Sequence, residues 1–79
     1  MFTVYILRDQ NGNLYKGATS NLERRLKEHR KGNTKTTRRM EDLNVVYTEI
    51  YETFAKARAR EVYLKSAAGR RFLKKKMGV

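Results

Sequence analysis

Apolar and polar positions change period several times along the chain. Residues 2–7 (FTVYIL) are rich in β-branched and aromatic side chains, which predicts a strand. Asp9-Gln10-Asn11-Gly12 follows, and Asn-Gly is a strong hairpin signal. Leu14-Tyr15-Lys16-Gly17 then reads as the returning strand. Ser20 with Glu23 three residues on matches a capping box, so a helix is expected from Asn21 to about Lys31, stopped by Gly32-Asn33. A polar, basic loop runs from Thr34 to Asp42. Leu43 to Tyr51 (LNVVYTEIY) is again strand-like. Thr53 is placed to cap a second helix reaching about Ser66, Gly69 is expected to break it, and Arg70 to Lys76 forms a short final helix. The order β-β-α-β-α-α predicts an α/β (more narrowly α+β) domain, with helices packed on a small antiparallel or mixed sheet of three strands.

The helical wheels contain polar residues where core residues belong. Leu22 and Leu26 mark a thin apolar stripe on the first helix. His29 lies about 20° from Leu22 and Arg25 about 60° from it, on the same side. Each has an ordinary explanation, a snorkelling arginine and a satisfied, half-buried imidazole. On the second helix Phe54, Ala57, Leu64 and Ala68 define the inner face, and Glu61 falls between Phe54 and Ala57. A carboxylate inside an apolar arc is costly unless it is paired or binds a metal. Arg58 and Lys65, one turn away on either side, offer a salt bridge as the alternative to a metal.

Strand alternation adds a geometric condition. Tyr5 and Tyr15 lie on the two hairpin strands. A two-residue loop, Asn11-Gly12, turns them to opposite sides of the sheet. A three-residue loop, Gln10-Asn11-Gly12 with Gly12 at positive φ, puts both on one face. As packed residues they need only a hydroxyl partner. Beside a cation, a phenol becomes a usable base.

Composition narrows the chemistry. Nineteen Lys and Arg against eight Asp and Glu give +11 on 79 residues, an excess that repels itself on compaction and points to a polyanion, most often nucleic acid. The chain has no cysteine, which excludes disulfides and thiolate metal sites, and its single histidine excludes a zinc site of several imidazoles. One domain spanning residues 1–79 is the expectation at this length. The N-terminus runs straight into a strand pattern rather than a signal peptide, and no run approaches a membrane span. A cytoplasmic monomer with no membrane partner and no small-molecule cofactor is expected.

At these residues the sequence resembles the GIY-YIG nuclease superfamily, in its small single-domain bacterial form, and is similar to the N-terminal nuclease domain of the bacterial excinuclease. Val4-Tyr5-Ile6 stands at the first tyrosine motif and Tyr15-Lys16-Gly17 at the second. Residues 18–29 (ATSNLERRLKEH) resemble the motif in which an arginine and, four residues later, a histidine or tyrosine are functional; these are Arg25 and His29. Ala57 to Lys65 resembles the helix carrying the metal-binding glutamate, Glu61. Lys16 replaces an apolar residue of the second motif, Ala18 stands where some members have a catalytic lysine, and no asparagine follows Glu61.

The resemblance implies a DNA endonuclease, sequence-nonspecific or structure-selective, of the kind used in DNA repair or processing. Its catalytic set would be Tyr5, Tyr15, Arg25, His29 and Glu61, with Glu61 holding one Mg²⁺ or Mn²⁺. Arg25 would clamp the phosphate, Tyr5 would act as base and Tyr15 would position the phosphate. The surface cations Lys16, Lys35, Arg38, Arg39, Arg70, Arg71, Lys74 and Lys75 are expected to contact the nucleic-acid backbone. The competing readings are a non-catalytic binding module for DNA or structured RNA on the same fold, a ribosome- or RNA-associated protein, and a plain interaction domain.

Overall fold

A computed structural model describes residues 1–32 and 40–78. Its elements are β1 (Phe2–Arg8), β2 (Leu14–Thr19), α1 (Leu22–Arg30), β3 (Asn44–Tyr51), α2 (Phe54–Lys65) and α3 (Ala67–Met77). The expected β-β-α-β-α-α order is the observed one. The strands form one antiparallel sheet in the order β2-β1-β3.

β1 is central and supplies both cores, because successive side chains point to opposite faces. Val4 and Ile6 pack with Ala57, Leu64 and Leu73, so α2 and α3 cover one face. Tyr5 and Leu7 pack with Leu43, Leu22 and Leu26, so α1 covers the other.

The hairpin loop has the odd length that the tyrosines require. Asp9 N–H donates to the Asn13 carbonyl at 3.0 Å, enclosing Gln10-Asn11-Gly12, and Gly12 N–H donates to the Asp9 carbonyl at 3.1 Å. Gly12 has φ +86°, a conformation that favours glycine. The Asp9 carboxylate accepts from the Asn11 and Asn13 backbone N–H groups and from the Asn13 side chain, which pins the turn. The register pairs Tyr5 with Gly17 and Leu7 with Tyr15, so Tyr5 and Tyr15 share the α1 face.

β3 carries an irregularity with larger consequences. Ile6 pairs with Tyr47 but Leu7 pairs with Val45, leaving Val46 as an extra residue. This bulge reverses the facing of the strand. Leu43 and Val45 point to the α1 face, while Tyr47 and Tyr51 pack on the α2/α3 face.

Two expectations at the helix ends are corrected. The cap of α1 is Asn21, whose side chain accepts from Arg24 N–H at 3.0 Å, and not Ser20. Thr19 makes this possible, since its hydroxyl oxygen accepts from the Asn21 N–H and fixes the entering chain. Thr53 caps α2 as expected, accepting from Lys56 N–H. The break after α2 falls at Ser66, whose extended backbone ends one helix and whose hydroxyl caps the next by accepting from Gly69 N–H.

Gly69 therefore lies inside α3 and does not break α2. A Cβ there would stand 2.1 Å from the Tyr63 carbonyl oxygen and 2.4 Å from Leu64 Cα. The absent side chain lets the start of α3 fold tightly back on the end of α2. Two inner positions also move. Phe54 is mostly exposed and meets Phe2 edge-on at 5.6 Å, and Ala68 belongs to α3, facing solvent.

Candidate active site

α1 buries no leucine completely. Its one buried residue is His29, 1 % exposed, while Leu22 and Leu26 are half-buried. His29 Nε2 lies 2.9 Å from the Tyr5 hydroxyl, which is itself buried at the centre of the sheet. The Tyr15 ring meets the imidazole edge-on at 4.6 Å and the Tyr5 ring at 6.2 Å. Tyr5, Tyr15 and His29 thus form one aromatic group between β1, β2 and α1.

Gly17 makes room for it. A Cβ at Gly17 would lie 2.6 Å from the Tyr5 hydroxyl oxygen, inside van der Waals contact. The glycine that follows Tyr15-Lys16 is therefore the seat of the phenol on the neighbouring strand.

Arg25 closes the group on its solvent side. Its guanidinium donates to Glu28 at 2.8 Å, with about a third of its side chain exposed. It also polarises the Tyr5 and Tyr15 hydroxyls. Glu28, and after it Tyr5, hold the Arg25 pKa above its ordinary value.

Burial sets the protonation states. Desolvation pushes the Tyr5 phenol up to about 12, and the hydrogen-bonding influence of Arg25 offsets only part of this. Desolvation, and then the Arg25 charge, push His29 below its ordinary 6.5. Phenol and imidazole are both neutral near pH 7. One proton lies between Oη and Nε2, and the tautomer of His29 decides which side donates.

Glu61 stands apart from these four residues. It is buried on α2, whose neighbouring inner residues Ala57 and Leu64 pack on Val4 and Ile6. Its oxygens accept from Arg58 at 3.1 Å and Lys65 at 2.9 Å, so both salt bridges available one turn away are formed. Among the described residues, no hydrogen bond or ion pair joins Glu61 to the tyrosine cluster, and no group of three or more His, Cys, Asp or Glu is suited to hold a metal.

A single hard cation remains compatible with this donor set. One carboxylate suits an ion such as Mg²⁺, which keeps most of its waters and takes further oxygens from a phosphate. Arg58 and Lys65 are more than half exposed along their side chains, free to swing away from Glu61. The residues fit a divalent ion held through Glu61 alone, at the cost of those two salt bridges.

The basic positions divide by location. Lys16 is half-buried on β2 and faces α2 and α3, while Arg70, Arg71, Lys74 and Lys75 are exposed on α3. Lys35, Arg38 and Arg39 lie outside the described residues. Sequence reasoning missed one participant, Glu28 as the partner of Arg25. Glu28 was findable from its spacing, three residues after Arg25 on the same helix.

With that geometry in place, comparison with known proteins settles the family. Residues 1–76 match the model of the GIY-YIG catalytic domain. A UPF0213 protein of Clostridium perfringens is 43% identical over 63 residues, covering 78% of this chain and 68% of the relative. A UPF0213 protein from the VLF1-GP41 intergenic region of Autographa californica nuclear polyhedrosis virus is 50% identical over 48 residues, covering 60% of this chain but only 46% of the relative. The solution NMR structure of a UPF0213 protein from Bacillus halodurans superposes with a TM-score of 0.57 at 31% identity, covering 92% of this chain and 82% of that one. The chain belongs to the GIY-YIG domain family, a nuclease superfamily. No helix among the described residues is long and apolar enough to cross a membrane.

Proposed function

We propose that the chain is a metal-dependent DNA endonuclease, sequence-nonspecific or structure-selective, acting in DNA processing or repair. One observation carries the reading. Two phenols, a guanidinium and a neutral imidazole meet on one sheet face, and among the described residues the carboxylate engaged there is Glu28, held by Arg25 at the solvent edge. A phosphodiester brings the negative charge that this group lacks.

Arg25 is the phosphate clamp. Its planar fork suits two phosphate oxygens, and it gains most as charge accumulates on them. It must exchange Glu28 for the phosphate, which the half-exposed pair permits. Tyr15, half-buried on the edge strand, is the phenol nearer solvent, and we assign it the contact with the attacking water or the phosphate. Tyr5 lies behind it with a raised pKa, so it holds its proton and passes polarisation to His29 through the 2.9 Å bond. The sequence alone favoured Tyr5 as base and Tyr15 as phosphate positioner; here the contact with water passes to Tyr15, and the burial of Tyr5 is the reason.

Glu61 would hold the Mg²⁺ or Mn²⁺ ion, which supplies Lewis acidity to the phosphate and the leaving oxygen. The cations of α3 engage the backbone without reading sequence. The test is incubation of the purified chain with plasmid and branched DNA in Mg²⁺, in Mn²⁺ and in chelator. Cleavage in the metals and none in chelator is expected, with Arg25→Ala and Glu61→Ala inactive. Wild-type rates in either variant refute the assignment.

A second reading rests on the doubly paired Glu61. If its two salt bridges hold against metal, the chain is a nucleic-acid-binding module without turnover. DNA binding with no cleavage in any metal is the outcome that selects it.

A further inference from the structure

On the sheet face away from the tyrosines, β2 and α3 enclose a hollow of about 390 Å³. Leu14 and Leu73 form its floor, and Lys16, Arg70 and Lys74 stand around it. Its size is in the range of a small-ligand site.

The charges on the rim need an explanation. Among the described residues none of Lys16, Arg70 and Lys74 forms an ion pair; Arg70 only donates to the Lys65 carbonyl, at 3.2 Å. Lys16 is half-buried, and burial together with the Arg70 and Lys65 charges pushes its pKa below the ordinary lysine value. The nearby carboxylate, Glu61, is already occupied by Lys65 and Arg58. Like charges gathered over a desolvated floor raise the free energy of the empty site, and a bound polyanion relieves that repulsion.

The floor decides which polyanion. A duplex presents phosphates, but its base faces are stacked and cannot lie on leucines. A single strand offers both a charged backbone and the open face of an unstacked base. We propose that this hollow is a subsite for single-stranded DNA, seating one unstacked nucleotide on Leu14 and Leu73 with its flanking phosphates on Lys16, Arg70 and Lys74. The proposal rests on the DNA reading above but not on cleavage. It would make the chain prefer substrates with a single-stranded arm, held on the opposite side of the sheet from Arg25.

The test is binding by fluorescence anisotropy in chelator, where no cleavage occurs, with a single-stranded oligonucleotide and a duplex of equal length. Arg70→Ala/Lys74→Ala is compared with Lys31→Ala/Lys56→Ala, which removes two exposed charges elsewhere. The first pair should weaken single-strand binding about tenfold or more and lower the salt slope by about 1.4, roughly 0.7 per lost phosphate contact. Duplex binding, which meets these cations only as backbone contacts, should weaken clearly less than single-strand binding. Leu14 and Leu73 methyl resonances should shift with the single strand and not with the duplex. Equal losses for both DNAs, equal losses in both variants, or unmoved methyl resonances overturn the proposal. A chain that cleaves no DNA yet gives the expected binding pattern refutes the nuclease reading and leaves this one standing.

Discussion

Two tyrosine clusters stand on opposite faces of one sheet, built from nearly the same parts. Tyr5 and Tyr15 face α1 with Arg25 and His29. Tyr47 and Tyr51 face α2 and α3 with Arg60 and Glu49. In the second cluster Glu49 accepts from both phenols, at 2.6 Å from Tyr51 and closer still from Tyr47. It also takes the Arg60 fork in two bonds of 2.9 and 3.1 Å, and the guanidinium lies over the Tyr63 and Phe72 rings. Burial acts to raise the Glu49 pKa, but these donors outweigh it and hold it below its ordinary value. That cluster is closed, since its charges and donors are spent on each other. The first cluster has the phenols and the fork, but its carboxylate, Glu28, holds the fork alone at the solvent edge, and among the described residues no carboxylate accepts from its phenols. An anion placed between phenols and guanidinium satisfies such a group from within, and a cluster without one there has room for an anion from outside.

The sharpest way to break this contrast is to remove each arginine. Arg25→Ala should lower kcat/KM for DNA cleavage by about 10²–10³ with little change in melting temperature, as expected for loss of one charge-stabilising donor. Were it chiefly to lower the melting temperature and spare cleavage, the two clusters would be of the same kind. Arg60→Ala should do the opposite. It leaves Glu49 mostly buried without its main partner, costing about 1.5–3 kcal/mol, while cleavage below the transition is kept. For a domain this small, each kcal/mol shifts melting by roughly 4–8 °C, so calorimetry resolves it easily.

Gly17→Ala sharpens the first cluster alone. The new methyl must push the Tyr5 phenol off its seat, an overpacking cost of about 1–3 kcal/mol. Cleavage should fall further than Arg60→Ala makes it fall, measured at a temperature where both variants are folded. Equal activities would mean that the position of Tyr5 does not matter.

The smallest expected effect is pH-dependent. His29 has a folded pKa below its unfolded value of about 6.5, so the folded state binds fewer protons. Stability is complete above 6.5 and declines as pH falls from there towards the depressed folded value. Melting curves from pH 7.5 to 5 should show this decline, and His29→Asn should flatten it. A wild-type curve that is flat in this window contradicts a buried neutral imidazole.

Much of this was legible in the chain. The demand that Tyr5 and Tyr15 share a face forced an odd loop, and Gln10-Asn11-Gly12 supplies it. Four of the five expected site residues were placed together by periodicity and motif, because Leu22, Leu26 and the strand alternation fix which side each element shows. Glu61 was correctly placed on the inner arc of α2, but a helical wheel does not say which side of the sheet that arc meets. Ser20 and Asn21 are both good caps, and only the Thr19 hydroxyl, a tertiary detail, decides between them. Gly69 looked like a helix breaker because its crowding against Tyr63 and Leu64 exists only once α3 has folded back. Glu49 was readable as a carboxylate in an apolar strand, but its partner Arg60 lies eleven residues on, across a turn.

The Val46 bulge was least legible of all, since LNVVYTEIY alternates without any glycine to mark it. It acts as a phase slip in a two-residue wave. Drawing Val46 into a regular ladder would impose one unbroken alternation from Leu43 to Tyr51, with every odd-numbered position on the same face. The chain would then have to choose. Keeping Glu49 on Arg60 turns Leu43 and Val45 away from the core beneath α1. Keeping those two in place carries Glu49 over to the face of Tyr5 and Tyr15, where its carboxylate would compete for Arg25. A single unpaired valine thus keeps Glu49 and the Tyr5/Tyr15 cluster on separate sides of the sheet.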